Sequence, residues 1–237
     1  MLNRKHQKPK LTERLSLIFD QDDNVNPVTK VIIAIGEAIR QQADTVTQAA
    51  TEQEQVGNSA SLDDFYQYQY LDGIIEEEIY IIEDLLAISY VICQTDIEYV
   101  VTHTKKLIEY VKSEHAHTLS LASKKPDLMK LDPFMVNPNT TAIQAINAYA
   151  NYFKHKDAWT DSWDNILRSN SQSKDTVSVL VATGAIAQSS YNFRNISKQL
   201  GNTDFLRVGK YIDILDHWRK TIRDMIESEL KSNNIIT

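Results

Sequence analysis

Residues 62–94 read LDDFYQYQYLDGIIEEEIYIIEDLLAISYVICQ and carry the longest apolar pattern of the chain. The apolar residues recur at intervals of three and four, which is the spacing of a helix. The stripe that they form is wider than the single face that a surface helix buries. The pattern therefore predicts a central bundle helix that is buried on more than one side, with Gly73 as a candidate kink.

The segment that follows this helix allows two interpretations. Thr95 and Glu98 have the spacing of a capping box, which would start a new helix with Ile97 and Val100 facing inward. The alternative is one uninterrupted helix through the same residues. Cys93 lies at this junction and is the only cysteine, so we expect a buried thiol, no internal disulfide and a reducing compartment.

Helical spacing and chain breakers divide the rest of the sequence into further helices. Asn26 is a predicted N-cap with Pro27 at the first helical position, and their helix is expected to reach about Ala50. The other expected segments are a flexible loop at 51–61, a proline-bearing loop at 124–139 that is ordered by burial of apolar residues such as Leu128 and Phe134, a helix from about Thr140, a helix from Ser173 to a C-cap at Gly201 with a candidate pause at Gly184, and a last helix over 204–231. These elements predict an all-α fold, a multi-helix bundle that is mostly antiparallel and up-down.

We expect one domain with an appendage. Residues 1–24 are predicted to be a basic N-terminal tail or arm, and residues 25–237 a single α-helical bundle. No apolar region of a signal peptide follows the basic residues of the tail. Acidic residues interrupt the apolar run at 74–92, which argues against a membrane span. A cytoplasmic protein without membrane contact is the expectation.

The charge of the chain is unevenly distributed. The net charge is −7, yet residues 41–104 hold 13 acids and no Lys or Arg, and the remaining residues have a net charge of +6. An acidic block of this kind is a solvated face, or it docks against basic helices of the same or another subunit. It argues against these helices lining a nucleic-acid groove, whereas lysines elsewhere leave RNA as a candidate partner.

One stretch concentrates polar and titratable side chains, YANYFKHKDAWTDSW at 149–163. On a helix, Asn147 and Lys154 flank the buried stripe, while Asn151 and His155 point away from it. The functional interpretation makes Asn151, Lys154 and His155 a site in which the histidine moves a proton or helps hold phosphate. The remaining candidate binding residues of the site are Asn147, Lys156, Asp157 and Trp159.

A purely structural interpretation explains the same residues. Lys154, His155 and Lys156 near a helix C-terminus offset the negative end of its dipole, and the tryptophans bury against a neighbouring helix. The sequence contains no glycine-rich phosphate loop, no HExxH, no paired CxxC and no GxSxG, and we expect neither a metal site nor a cofactor. His115 and His117 are predicted to point apart on one helix, as surface residues.

The run NYFKHKDAW at 151–159, with a proline-bearing loop before it and Trp163 after it, resembles a segment of bacterial HEPN-like helical proteins. The resemblance covers 26–231 in helix order and about fifteen residues in specific letters. It implies an α-helical, generally dimeric protein of a defence or toxin–antitoxin system. Active members are metal-independent ribonucleases with an Arg followed after four to six residues by a His, and this sequence lacks that motif.

Three functions follow as hypotheses. The first is a non-catalytic or divergent HEPN-like module that binds RNA or protein as a homodimer. The second is a metal-independent endoribonuclease that uses His155, with Lys154 and Asn151 holding phosphate. The third is a structural helical protein whose acidic helices bind a basic partner.

Overall fold

The computed structural model describes residues 10–20, 26–57, 61–159, 162–169, 173–203 and 206–236. This part of the chain is almost entirely helical, which confirms the predicted all-α class. Its α-helices are α1 Leu11–Phe19, α2 Pro27–Val56, α3 Leu62–His115, α4 Lys125–Met129, α5 Ala142–His155, α6 Trp163–Arg168, α7 Lys174–Ala182, α8 Asn192–Gln199 and α9 Gly209–Ser232. An antiparallel pair of short strands, β1 Met135–Asn137 and β2 Thr140–Thr141, precedes α5, and a 3-10 turn at Lys156–Ala158 follows it.

α3 is one helix of 54 residues, about 80 Å long at about 1.5 Å per residue. The Ser61 hydroxyl accepts a hydrogen bond from the Asp64 N–H at 3.1 Å and caps its start. The helix passes through Gly73 and Thr95 without ending, so the uninterrupted interpretation is correct. Thr95 does not cap a new helix, because its hydroxyl donates back to the Ile92 carbonyl at 2.7 Å.

α2 and the first half of α3 form a helical hairpin. The Asn26 side chain accepts a hydrogen bond from the Val28 N–H at 2.9 Å, which confirms the predicted cap. α2 continues to Val56, so the prediction of a loop from residue 51 is wrong for its first six residues. Residues 58–60 of that expected loop lie outside the described residues.

The far end of this hairpin consists of residues 41–57 and 61–80, which we name the hairpin tip. Among its residues only Ala49 and Leu71 are buried. The Gln53 amide donates a hydrogen bond to Asp72 at 3.2 Å and ties the two helices together there. The tip is therefore a pair of helices with most of its side chains in solvent.

The core lies around the second half of α3, where α5, α8 and α9 pack. Trp218 of α9 is fully buried, and its indole N–H donates to the Leu128 carbonyl at 2.8 Å. The hydroxyls of Tyr90, Ser197 and Tyr211 form a buried hydrogen-bonded triangle with separations of 2.7–3.1 Å. Cys93 is fully buried as predicted, and burial raises the pKa of its thiol.

A buried ion pair joins α3 to α9. The Arg219 guanidinium donates to both carboxylate oxygens of Asp96 at 3.1 Å, and each side chain is 2% exposed. Arg219 also donates to Asp216, one turn earlier on α9. Two charges buried this deeply are tolerated because each satisfies the other.

The connection from α3 to α5 departs from prediction at two places. α3 ends at His115, and Ala116 is left-handed with φ 51°. His117 therefore lies beyond the helix, contrary to the prediction. Its Nε2 lies 2.9 Å from Oε1 of Glu229. In the proline-bearing loop Leu128 is buried as expected, but Phe134 is 41% exposed, and its ring packs edge-on against His217.

The described part of the expected N-terminal tail packs on the bundle. α1 buries its apolar side chains in the core beside α3 and α9, namely Leu11, Leu15, Ile18 and Phe19. The Tyr99 hydroxyl donates to the Leu17 carbonyl at 3.2 Å, and the Arg14 guanidinium lies 4.0 Å from the centre of the Tyr110 ring. Residues 11–19 thus contribute to the core, whereas residues 1–9 lie outside the described residues.

α3 is also the one helix in the described residues that is long and apolar enough, by length and composition alone, to cross a membrane. The acids at 76–84 do not interrupt every window, because residues 85–102 carry only Asp96 and Glu98 as charges. The core helix of a soluble protein passes the same test, and half of the apolar window is buried inside the structure. The structure is compatible with a soluble protein.

Candidate functional site

α5 begins with a strong local signal that fixes its register. The Thr141 hydroxyl accepts from the Gln144 N–H at 3.2 Å, and the Gln144 side chain accepts from the Thr141 N–H at 3.0 Å. This is the reciprocal capping box, and α5 begins at Ala142, two residues after the predicted start near Thr140. Asp132 accepts the Ile143 N–H at 2.8 Å, and burial raises the pKa of that carboxyl despite three backbone donors.

Three of the predicted site residues meet at a residue that the sequence did not single out. Gln94 of α3 is 5% exposed, and its amide N–H₂ donates to the side-chain oxygens of Asn147 at 2.8 Å and Asn151 at 2.9 Å. Lys154 donates through Nζ to the Gln94 side-chain oxygen. Asn151 and Lys154, the residues predicted to hold phosphate, thus form hydrogen bonds that join α5 to α3.

His155 is separate from this cluster. Its side chain is exposed, and within the described residues it makes no hydrogen bond and no ion pair. It ends α5 with φ −126° and ψ −1°, where the chain tightens into the 3-10 turn. Asn151 faces Gln94 while His155 faces solvent, so the two do not share an interaction in this chain. The catalytic role predicted for Asn151, Lys154 and His155 remains a prediction.

The remaining predicted residues line a groove on the other side of α5. This groove has a volume of about 880 Å³ and includes Lys156, Asp157 and Trp159 in its walls. The Tyr152 ring packs against Trp159 and Trp163, with centroid separations of 5.9 and 5.7 Å. The tryptophans therefore bury against a neighbour as the structural interpretation expected, while still bordering an open space.

The opposite wall comes from parts of the chain distant in sequence. Tyr80, Glu83 and Asp84 of α3 and Phe193 of α8 line the groove as well. The Phe193 ring stacks on Tyr152 with a centroid separation of 6.0 Å. Nothing in the sequence around 80–84 distinguishes these residues from the rest of the α3 stripe, because their role depends on a contact more than sixty residues away.

Glu83 holds the start of α8 in place. Its carboxylate accepts the N–H groups of Phe193 at 3.1 Å and Arg194 at 3.3 Å, and the Arg194 Nε at 2.7 Å. A negative charge at a helix N-terminus is favourable. Burial raises the pKa of Glu83, and the bonds from Arg194 oppose that rise. The Glu83 carboxylate is engaged in these hydrogen bonds and is not available to a ligand.

The described residues contain no group of three or more His, Cys, Asp or Glu side chains that could hold a metal ion. No protein-family model, curated protein or solved structure matches the chain. The described residues therefore offer three features: a hydrogen-bonded cluster around Gln94, an exposed imidazole at His155, and a groove lined by aromatic side chains and carboxylates.

Proposed function

We propose that this protein is a non-catalytic helical binding module that engages a basic protein partner through the hairpin tip. The observation that carries the proposal is the composition of that surface. The tip holds nine acidic residues and no Lys or Arg. Its large exposed side chains are Leu62, Phe65, Tyr66, Tyr68, Tyr70 and Tyr80.

Exposed aromatics among acids suit a binding surface. Tyr66 and Tyr70 are 63% and 70% exposed, and Phe65 is 57% exposed. Tyrosine contributes large, amphipathic contact area and is enriched where proteins bind each other. The surrounding carboxylates would steer a positively charged partner and disfavour nucleic acid. The Gln94 cluster supports a non-catalytic role, because it engages Lys154 and Asn151 internally.

The resemblance at 151–159 supplies the biological setting of this proposal, a HEPN-like module of a bacterial defence or toxin–antitoxin system. A cytoplasmic homodimer belongs to the same proposal. The homodimer rests on the likeness in sequence, and the non-catalytic role rests on the absence of a catalytic Arg–His motif.

The test isolates partners of the tagged full chain and then reconstitutes each complex from purified components. We expect a basic partner whose affinity falls with added salt and falls about tenfold or more in Tyr66→Ser/Tyr70→Ser. Leu17→Ser/Met225→Ser is the matched control, because both residues are exposed and lie outside the tip. A partner that binds the tip variant as tightly as the wild type, or a complex insensitive to salt, would contradict the proposal.

The ribonuclease hypothesis is the second candidate, favoured by the exposed His155 between two lysines. Purified protein is incubated with mixed RNA in the presence of EDTA, and His155→Ala is compared with the wild type. Cleavage that disappears in His155→Ala would establish the ribonuclease. The binding module predicts no cleavage by either protein.

A further inference from the structure

The groove beside α5 has the size and lining of a ligand site. Its volume of about 880 Å³ lies within the range of about 300–1,000 Å³ typical of binding clefts. It lies between the middle of α3, the end of α5 and the start of α8, and it shares Tyr80 with the hairpin tip but does not involve Tyr66 or Tyr70. Its occupant can therefore be tested independently of Tyr66 and Tyr70.

Aromatic side chains line part of the groove, namely Tyr80, Tyr152, Trp159, Trp163 and Phe193. Tyr152 stands at an interplanar angle of 86° to Trp163 and 47° to Trp159. The faces of aromatic rings are electron-rich and attract a cation. Both tryptophans are only partly buried, so they keep surface for a ligand.

The charges around the groove favour a cation as well. Three carboxylates among the described residues line the groove, and one of them, Glu83, is satisfied by Arg194 and the N-terminus of α8. Asp84 and Asp157 are exposed and make no hydrogen bond or ion pair within the described residues. Lys156, which also lines the groove, has its ammonium 5.3 Å from the centre of the Phe153 ring. Two carboxylates thus remain to face a ligand.

We propose that this groove binds the guanidinium group of an arginine side chain presented by a peptide segment of another protein. A guanidinium stacks on aromatic rings and donates two parallel hydrogen bonds to a carboxylate. An ammonium is a more strongly hydrated point charge that cannot do both. Trp159 and Trp163 provide the stacking faces, and Asp84 and Asp157 provide the acceptors.

The chain's own tryptophans report on the groove. The sequence has three, of which Trp159 and Trp163 border the groove and Trp218 is fully buried in the core. The full-length protein is titrated with acetyl-Gly-Arg-Gly-amide and, in parallel, with the same peptide carrying citrulline, which has the same shape without the charge. We expect a saturable fluorescence change with the arginine peptide and binding about tenfold weaker or absent with citrulline.

Two variants test the carboxylates and the location. Asp84→Asn/Asp157→Asn should weaken binding by about tenfold or more, whereas Glu37→Gln/Glu109→Gln removes the same charge from exposed positions of α2 and α3, outside the hairpin tip and the groove, and should leave it unchanged. Trp159→Phe/Trp163→Phe should abolish the fluorescence change while calorimetry still detects binding. Equal binding of citrulline, full binding by the Asp variant, or no saturation by about 10 mM peptide would overturn the proposal, whatever the hairpin tip binds.

Discussion

The Lys154 ammonium donates a hydrogen bond to the side-chain oxygen of Gln94, a buried residue of the central helix that lies sixty positions earlier in the chain. The other end of the Gln94 amide is held by Asn147 and Asn151. A candidate catalytic lysine is thereby part of the joint between α3 and α5. Replacing Lys154 should therefore lower the free energy of unfolding.

We predict that Gln94→Leu destabilises the protein by about 1–3 kcal/mol, because it leaves Asn147 and Asn151 with unsatisfied oxygens in a partly buried joint. Urea denaturation followed by circular dichroism measures the loss. Gln69→Leu is the control, since Gln69 is exposed on the same helix, and it should change stability by less than about 0.5 kcal/mol. Equal midpoints for the two variants would refute a joint at Gln94.

Two helical glycines should respond to alanine with opposite signs. A Cβ at Gly36 would lie 2.6 Å from a methyl carbon of the buried Val208, whereas a Cβ at Gly73 would meet nothing within 4 Å. We predict that Gly73→Ala stabilises by about 0.5–1 kcal/mol, and that Gly36→Ala destabilises by about 1–3 kcal/mol. Thermal unfolding distinguishes them, and Val208→Ala should relieve the cost of Gly36→Ala. Stabilisation by both alanines would show that α2 and α9 are not in close contact at Gly36.

The buried pair of Asp96 and Arg219 should show strong coupling. Arg219→Met leaves Asp96 charged in the core and is expected to cost about 3–5 kcal/mol. The double variant Asp96→Leu/Arg219→Met removes both charges and should recover at least half of that loss. Arg223→Met, which breaks more exposed pairs with Asp20 and Glu227, should cost less than about 1 kcal/mol. Additive single effects in the double-mutant cycle would contradict the pairing.

Glu229 gives a prediction about acid stability. Burial acts to raise the pKa of Glu229, but Ser120 donates to it through its N–H at 2.9 and 3.0 Å and its hydroxyl at 2.6 Å, and His117 lies 2.9 Å away. The net effect lowers the pKa below its ordinary value of 4.5. The stabilisation is therefore present above pH 4.5 and is lost as the pH falls through the folded-state pKa.

Glu229→Gln should consequently be less stable than the wild type by about 1 kcal/mol at neutral pH, and the difference should narrow as the pH falls below 4.5. Urea midpoints measured across this pH range test the expectation. Glu109→Gln, an exposed change on α3, should show no such pH-dependent gap. A gap of constant size down to pH 3 would mean that the Glu229 carboxylate is not the stabilising species.

A homodimer is expected in solution, with a mass twice the 27.1 kDa of one chain. Outside the hairpin tip, aliphatic side chains remain exposed on α2 and α3, with Ile33 at 50% and Ile88 at 39%. Burying such residues in a second copy would be favourable at about 25 cal/mol per Å² of apolar surface. Light scattering should report a dimer at micromolar concentration, and Ile33→Glu should raise the dissociation constant about tenfold or more. A monomer mass for the wild type would reject this expectation.

Local signals in the sequence predicted much of the fold. The Asn26 cap with Pro27 and the left-handed glycine at 201, with φ 86°, each depend on neighbours in the chain, and each was correct. The Thr95–Glu98 capping box has the same local form but does not operate. Thr95 lies inside α3 with its hydroxyl bonded to the Ile92 carbonyl, and its neighbour Asp96 is buried against Arg219, 123 residues away.

The candidate site was predictable only in part, for the same reason. The run at 151–159 identified Lys156, Asp157 and Trp159, which do line a groove. Sequence reasoning missed Gln94, and it also missed the wall that Tyr80 and Phe193 provide. Both arise where α3 passes α5 or α8, and periodicity within one helix carries no information about which partner it meets.

The continuity of α3 makes the hairpin tip a lever arm. About 30 Å of helix separates Leu62 from Ile82, where α3 enters the core, so a tilt of about 10° at Ile82 would move Leu62 by about 5 Å and Tyr66 by about 4 Å. Glu83, which accepts hydrogen bonds from the start of α8, is the residue after Ile82. Because α3 is continuous from Tyr66 to Asp84, a displacement of the outer tyrosines would be transmitted along one helix to the residues of α3 that line the groove.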